Sequence, residues 1–478
     1  MLLRQIFDPF LAQYAYLIGC QRSGEALLID PERDILQYKE LAATNGLRIT
    51  AVAETHIHAD FVSGAQEFAQ DPGVQLYLSD EGGADWQYQW PKGNANLHLL
   101  KDGDVFHVGN IRVEAIHTPG HTPEHMSFLI TDVGGGADEP VALATGDFLF
   151  VGDVGRPDLL ESAAGMRGVM EPSARELQKS LAARLEPYGD YLQILPAHGA
   201  GSACGKSLGA LPTTTLGYER RFNPALRLAL SDGEAFVKDI LSGQPEPPPY
   251  FATMKRVNRD GIGVTGGPPI PRHLTDPDAV KALMLSGVRT LDTRDSRVAF
   301  SGEHVRNAIQ APLNSPFFST SAGSYIAADE RILLVVESAD AVDLAVRQLY
   351  RVGLDQVVGW VSVDETKALG LPHAQLKRVD FPAFDSAEAR AVGEIIDVRT
   401  SAEFNHGHID GAQSFPYTRL RDQISRLPKG RKLFVHCGSG KRASLASSYL
   451  QSQGFDVVYV DGMCAECERI AQQAGVVH

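Results

Sequence analysis

The sequence predicts a multidomain α/β protein, and three observations carry that expectation. At 478 residues the chain is too long for one ordinary hydrophobic core, so about two to four domains are expected. Through residue 230, short apolar runs alternate with Gly-rich turns and occasional helical patterns. Further on, a stretch of roughly 100 residues occurs twice in similar form, too long for a solenoid unit and right for two small α/β domains.

Composition sets the class. Apolar residues make up 44% and charged residues 22%, as in ordinary soluble globular chains. The net charge of -15, from 44 basic and 59 acidic residues, argues against nucleic acid or an anionic membrane as general partner. An anionic small substrate stays compatible, because local loops override the global sign. The opening MLLRQIFDPFLAQYAYLIG lacks the apolar run and cleavage site of a signal peptide, and no stretch approaches a membrane span. Five cysteines, odd in number and unevenly spread, do not make a disulfide framework, so a reducing cytoplasm is expected.

In order, EALLIDP, ITAVAETH, VQLYLS, NIRVEAIHTPG, HMSFLIT, VALATGD and YLQILPAHG read as strands, and ARELQKSLAARLEP as a helix. His56, His121, Asp147 and His198 each fall just past a strand, where loops converge on one edge of a sheet layer. From Ser242, SGQPEPPPYF and DGIGVTGGPPIPR mark a Pro/Gly-rich connector expected to lie extended along a surface. Two modules follow. VRTLDTRDSRVAFSGEHVRNAIQAP with RILLVVESAD matches GEIIDVRTSAEFNHGHIDGAQSFP with KLFVHCGSGKRA in the order strand, Asp-x-Arg, polar turn, second apolar strand.

The first chemistry-bearing segment is THIHADFVSG, residues 55–64. His56 and His58 are two apart on an extended segment and Asp60 continues the register, so their side chains project similarly. HTPGHTPEH and ATGD add donors at similar strand ends, and together these predict a metal. Phe61 stands where a second ion would want another imidazole. Phenylalanine has no lone pair to give, which weighs against a stable metal pair and two-metal hydrolysis.

THIHAD, TPGH and TGD resemble the metallo-β-lactamase superfamily, whose members are αββα sandwiches with metal where the two sheets meet. GDFLFVGDVGRPDL and LPAHGAG are similar to its persulfide dioxygenase branch, related to glyoxalase II but holding a single iron. The resemblance implies one Fe(II) held by His56, His121 and Asp147, two imidazoles and a carboxylate leaving open positions for water, O₂ and substrate. His58, Asp60 and His198 would stand behind these ligands and hydrogen-bond to bound water. Arg156 would hold an anionic persulfide or brace a helix, and Tyr218, Arg220 and Arg221 would help form the substrate mouth. Cys204, six residues past His198 in a glycine-rich loop, is expected to face the cleft as a mobile thiol that receives sulfane sulfur or protects the site. Cys20 is expected to be a packed thiol, and His98, His107 and His117 structural.

The second segment is KLFVHCGSGKRAS. A buried strand delivers Cys437 to a tight loop, Gly438, Ser439, Gly440, Lys441 and Arg442, followed by a helical pattern. Inward-pointing N–H groups and a helix N-terminus lower a thiol pKa and hold an anion beside it. Cysteine phosphatases place arginine six residues after the cysteine; here Arg442 is five away and position 443 is alanine. The shorter loop resembles rhodanese, as do IIDVR, HGHIDGA and YVDGM, with Asp397, Arg399 and His408 ordering loops. The middle module carries Glu337 where the cysteine would be and resembles a catalytically dead copy. MCAECE places Cys464 and Cys467 in C-x-x-C spacing, a poor structural zinc site with only two thiols and a possible redox pair.

The whole order is similar to the persulfide dioxygenase–rhodanese fusions of bacterial sulfide detoxification. It implies residues 1–241 as the dioxygenase domain, 242–271 as connector, 272–375 as inactive rhodanese-like domain and 376–478 as active rhodanese domain. The implied partners are a low-molecular-weight thiol persulfide, O₂ and sulfite or thiosulfate, with neither nucleic acid nor membrane, in a homo-oligomer (dimer or tetramer). The alternatives are a glyoxalase II-like thioester hydrolase fused to a sulfurtransferase, and a persulfide-sensing or sulfur-relay binding protein.

Overall fold

Strand β4 (Arg48–Ala53) shows how the first 200 residues are built. Its Ala51 and Ala53 face one core and Val52 the other, the period-2 alternation of a strand buried on both sides, while Ile49 shares the core of Val52 because a register shift at Thr50 interrupts the alternation. The computed structural model describes residues 1–162, 167–464 and Cys467. In it, β1 (Leu2–Asp8), β2 (Gln13–Cys20), β3 (Glu25–Ile29), β4, β5 (Gln75–Ser79) and β6 (Leu97–Leu100) form a six-stranded sheet in sequence order. A second six-stranded sheet comprises β7 (Val105–Val108), β8 (Ile111–His117), β9 (Met126–Thr131), β10 (Ala142–Gly146), β11 (Gln193–Pro196) and β12 (Thr214–Thr215), again in order.

Tyr16, Ile18, Leu27 and Ile29 of one sheet meet Phe106, Val113, Phe128 and Ala144 of the other in a shared core. The outer face of the first sheet packs Leu28, Val52 and Leu76 with Tyr38 and Ala42 of helix Leu36–Thr44. The outer face of the second packs Leu143 and Ile194 against Leu177 and Leu181 of helix Met170–Leu185. The layers run helix, sheet, sheet, helix, as expected. All seven quoted strands are present; β1, β6, β7 and the two-residue β12 were not read from the sequence.

The chain divides into two compact units, Met1–Gln244 with Phe251–Gly267, and Pro245–Tyr250 with Pro268–His478. The connector is therefore not simply extended. Tyr250–Asp260 is helical, because ATMKRVN between its two Pro/Gly-rich ends contains no helix breaker.

The second unit contains the repeat. One parallel sheet runs Arg272–His273, Val357–Ser362, Ile332–Val336, Arg289–Asp292, Ile309–Gln310; the other runs Lys377–Asp380, Val457–Asp461, Lys432–His436, Gly393–Asp397, Gln413–Ser414. Strand order and direction are the same in both. So is the brace: Arg294 donates through Nε and Nη2 to Asp292 as Arg399 does to Asp397, each ending on a backbone carbonyl, of Glu303 and Gly407 respectively. His304 and His408 likewise hydrogen-bond to the carbonyls of Phe300 and Phe404 and stack on their rings. Residues 468–478 of the last expected domain lie outside the described residues. No described helix is long and apolar enough to cross a membrane.

Candidate active sites

The loops after β4, β8, β10 and β11 bring the donors of the first site together. His56, His121 and Asp147 are buried, with one ligand atom of each within 4.8 Å of the others. Asp147 Oδ2 lies 3.5 Å from His121 Nε2 and 4.0 Å from His56 Nε2. Neighbouring hydrogen bonds decide which nitrogen each ring offers. Thr55 Oγ1 donates to Asp30 Oδ2 (2.8 Å), so it accepts from His56 Nδ1 (2.9 Å) and leaves Nε2 its lone pair. His121 Nδ1 donates to the Arg156 carbonyl at 3.1 Å, with the same result. Burial, then the imidazoles of His58, His121, His125 and His198, hold His56 well below the ordinary histidine range, and burial lowers His121. Both are therefore kept in the neutral ligand form. Both Asp147 carboxylate oxygens are buried and, among the described residues, have no hydrogen-bond partner. Two aimed lone pairs facing an orphaned buried carboxylate fit a cation and leave the carboxylate badly solvated without one.

Two glycines make this convergence possible. Gly146 has φ +53°, and a Cβ there would press on Thr55 Oγ1 and His125 Nε2. A Cβ on Gly155 would collide with the carbonyl oxygen of Asp147.

The residues expected behind the ligands divide into two groups. His198 Nε2 lies 3.4 Å from Asp60 and 3.5 Å from Asp147 Oδ1, so both stand beside the ligand carboxylate. His58 differs: its Nε2 sits between Glu54 (3.0 Å) and Asp30 (3.2 Å), in an ion-pair cluster under the loop instead of a water-holding position. Burial opposes protonation of His58, but Asp30 and Glu54 outweigh it and hold the pKa well above the ordinary value. Phe61 is buried with its ring 4.4 Å from that of His58.

Two expectations need correction. Arg156 is not free to hold a substrate anion. It is fully buried, doubly bonded to Asp158 (2.9 and 2.6 Å), and donates to the Ala203 carbonyl, so it braces the loop that carries Cys204. Cys204 does not stand in an open glycine loop outside the core: it is 2% exposed and grouped with Asp60 and His198 within 4.8 Å. Burial, then Asp60 and Asp147, push its thiol well above the ordinary range and keep it protonated. Tyr218 is exposed on helix Leu216–Phe222, its ring 4.8 Å from that of Phe222. Arg220 on the same helix pairs with Asp190. Neither contact involves a residue of the metal group.

In the second site, strand Lys432–His436 delivers a buried Cys437, and the loop is shorter than expected: helix Lys441–Ser452 already includes Lys441 and Arg442 in its first turn, leaving Gly438 to Gly440 as the turn. The Ala443 N–H donates to Cys437 Sγ at 3.4 Å. Gly440 has φ +82° with no room for a Cβ against Asp461. Arg442 makes a bidentate pair with Glu403 (2.6 and 2.7 Å), and Glu403 also closes the capping box on Thr400. Burial raises the Glu403 pKa, but Arg442 and Thr400 outweigh it and hold it at about 2. In the middle module, Glu337 is exposed after strand Ile332–Val336, with no glycine loop around it.

Several contributors were not foreseen. Asn258, from the connector helix, donates to the carbonyls of His58 (2.8 Å) and Phe61 (2.7 Å) and accepts from Ser63 N–H (2.9 Å). Glu124 accepts from Ile57 N–H at 2.8 Å, and burial pushes its carboxyl up to about 7. His125 Nε2 accepts from Asp147 N–H at 3.1 Å. Arg297 of the middle module reaches Tyr459 (2.9 Å) and Asp461 (3.1 Å) beside the Cys437 loop. Glu124 and His125 stand in the quoted HTPGHTPEH and could have been weighed there. Asn258 and Arg297 carry no local signal. Cys464 and Cys467 are joined as a disulfide, which the cysteine count did not suggest; a pair three residues apart needs no framework.

The fold and the two sites define a metallo-β-lactamase superfamily protein with a rhodanese-like domain. The profile of the metallo-beta-lactamase superfamily matches residues 8–198, and that of the rhodanese-like domain residues 384–466. The human mitochondrial persulfide dioxygenase ETHE1 is 32% identical over 244 residues, 50% of this chain and 80% of the relative. The chain belongs to the persulfide dioxygenase family. A Schizosaccharomyces pombe protein named "Probable hydroxyacylglutathione hydrolase" is 26% identical over 239 residues, covering 45% of this chain and 82% of its own. A Staphylococcus aureus crystal structure described as a metallo-beta-lactamase superposes with a TM-score of 0.65 at 38% identity, covering 76% of this chain and 99% of that one.

Proposed function

We propose that the protein oxidises a low-molecular-weight thiol persulfide with O₂ and water to sulfite and free thiol, and transfers sulfane sulfur between persulfide and sulfite at Cys437. The observation that carries the first half is the buried convergence of His56, His121 and Asp147, with both imidazole tautomers set by Thr55 and the Arg156 carbonyl. These three residues would hold one Fe(II), which supplies the redox chemistry and open positions for O₂ and the persulfide sulfur. Around it the protein excludes bulk water with Phe61, fixes the carboxylate through Gly155 and His125, and keeps Cys204 protonated beside Asp60 and His198.

The second half rests on the Cys437 loop. The thiolate attacks the outer sulfur of a persulfide, the carrier thiol leaves, and the resulting Cys437 persulfide passes that sulfur to sulfite, giving thiosulfate. The Ala443 N–H and the start of helix Lys441–Ser452 offset the negative charge on sulfur during both transfers. The reverse direction, from thiosulfate, uses the same groups.

A second reading has one observation in its favour. Asp147 Oδ1 faces His198, and Asp60, His198 and Cys204 form a further donor group, as a two-metal thioester hydrolase would need. Anaerobic metal analysis followed by oxygen uptake with glutathione and coenzyme A persulfides separates the two. One iron per chain and steady O₂ consumption support the dioxygenase; two metals and thioester turnover without O₂ support the hydrolase. Cys437→Ser should stop transfer to sulfite and leave O₂ consumption intact.

A further inference from the structure

A cluster that the reactions above do not use adjoins the Cys437 loop. His436, the residue before the nucleophile, is buried, and neither ring nitrogen makes a well-formed hydrogen bond to a described residue, the Cys437 backbone giving it only a weak contact. The nearest carboxylate, Asp397, is 3.7 Å from Nε2 and already takes both donors of Arg399. One His436 ring nitrogen and the sulfurs of Cys464 and Cys467 lie within 4.8 Å of one another, all buried. Leaving a buried imidazole without a well-formed hydrogen bond costs up to about 1–3 kcal/mol, so such a group calls for a better partner. Burial also lowers the His436 pKa, which keeps the ring neutral and able to donate a lone pair. The local backbone is tied to the active loop, because Cys464 N–H donates to the Gly438 carbonyl at 2.9 Å.

We propose that Cys464 and Cys467, when reduced, join His436 to form a site for one thiophilic divalent d¹⁰ cation of the zinc class. Two thiolates and a neutral imidazole carry two negative charges, which a divalent ion cancels, and a buried site favours that neutral sum. Three such donors leave a fourth tetrahedral position for a small ligand. In the structure the two sulfurs are bonded to each other. Breaking that bond takes two electrons and two protons from a dithiol, itself oxidised to a disulfide. Metal binding then releases the two thiol protons. Disulfide and metal site are thus alternative states of one cluster adjoining the Cys437 loop. This inference does not rest on the dioxygenase reading, since none of its residues belongs to the iron group.

The test uses iron-loaded, full-length protein carrying Cys204→Ser, which removes the thiol near the other donors. Cadmium(II) is the probe, because thiolate-to-metal charge transfer reports sulfur ligation that a His₂Asp site cannot produce. After anaerobic treatment with a dithiol, with reduction verified by a mass gain of two hydrogen atoms, one equivalent of cadmium should give the band. The oxidised protein should give none. Cys467→Ser should abolish one-equivalent binding, and His436→Asn should weaken it at least tenfold while keeping the band. If Cys467→Ser does not fold, the oxidised-against-reduced comparison carries the test alone. A pair that stays oxidised, a reduced pair that gives no band, or a band unchanged in Cys467→Ser overturns the proposal.

Discussion

Replacing Arg297 by methionine tests whether the middle module, which carries Glu337 where the last module carries Cys437, supports the Cys437 loop. Arg297 Nε donates to the Tyr459 hydroxyl at 2.9 Å, and Nη2 to Asp461 Oδ1 at 3.1 Å. The Tyr459 hydroxyl in turn lies 3.1 Å from the Gly440 carbonyl in the Cys437 loop. Hydrogen bonds to charged groups contribute about 1.5–3 kcal/mol. The low end applies here, because the Arg297 side chain is 29% exposed and Arg378 still holds Asp461 Oδ2 at 2.9 Å. The expected loss is about 1.5 kcal/mol, close to a tenfold change in an equilibrium constant. Denaturant titration should show that loss, and sulfur transfer by Cys437 should fall about three- to tenfold as the loop loosens. Oxygen uptake, read on the same sample, should not change. A cycle with Tyr459→Phe should give a coupling above about 0.5 kcal/mol. Wild-type transfer and stability in Arg297→Met, or an equal fall in oxygen uptake, would refute the reasoning.

Three further outcomes follow from the geometry. His121→Ala should lose most bound iron, measured by metal analysis, whereas His58→Ala should keep it and lose stability, because His58 serves Glu54 and Asp30. Gly155→Ala should cost about 3 kcal/mol and lower iron content, since the added methyl meets the Asp147 carbonyl; an unchanged thermal midpoint would argue against that crowding. Glu403 is held at about 2, below the ordinary glutamate value of 4.5, so its pairing stabilises the fold above pH 4.5 and that stability is lost as pH falls toward 2. Denaturation midpoints between pH 5 and 3 should therefore fall less steeply in Glu403→Gln than in the wild type.

What was legible in the sequence has a common physical character. Strand ends carrying histidine or aspartate, a cysteine opening a glycine loop and the repeated Asp-x-Arg are local patterns, and a local pattern survives in one dimension. Arg156 and Cys204 were misjudged because their surroundings come from elsewhere. Arg156 looked free until Asp158 and the Ala203 carbonyl closed on it, and the glycines around Cys204 suggested mobility where packing against Asp60 and His198 buries the thiol. Asn258 was out of reach altogether. It lies 200 residues from the His58 carbonyl it holds, in a stretch whose flanking prolines suggested only a spacer.

That asparagine decides where the molecule can be divided. A polypeptide cut at Leu241, where the first domain's composition ends, would retain every proposed iron ligand. It would also expose the His58 and Phe61 carbonyls and the Ser63 amide, three polar groups that Asn258 satisfies. It would lose the Trp90 indole bond to the Asn258 carbonyl and the Arg33 bond to Gly263 as well. The smallest heritable piece able to shape that loop therefore runs on to Gly267. The segment that links the two units is thus also part of the first one's wall, so lengthening or replacing it would disturb the loop that carries His58.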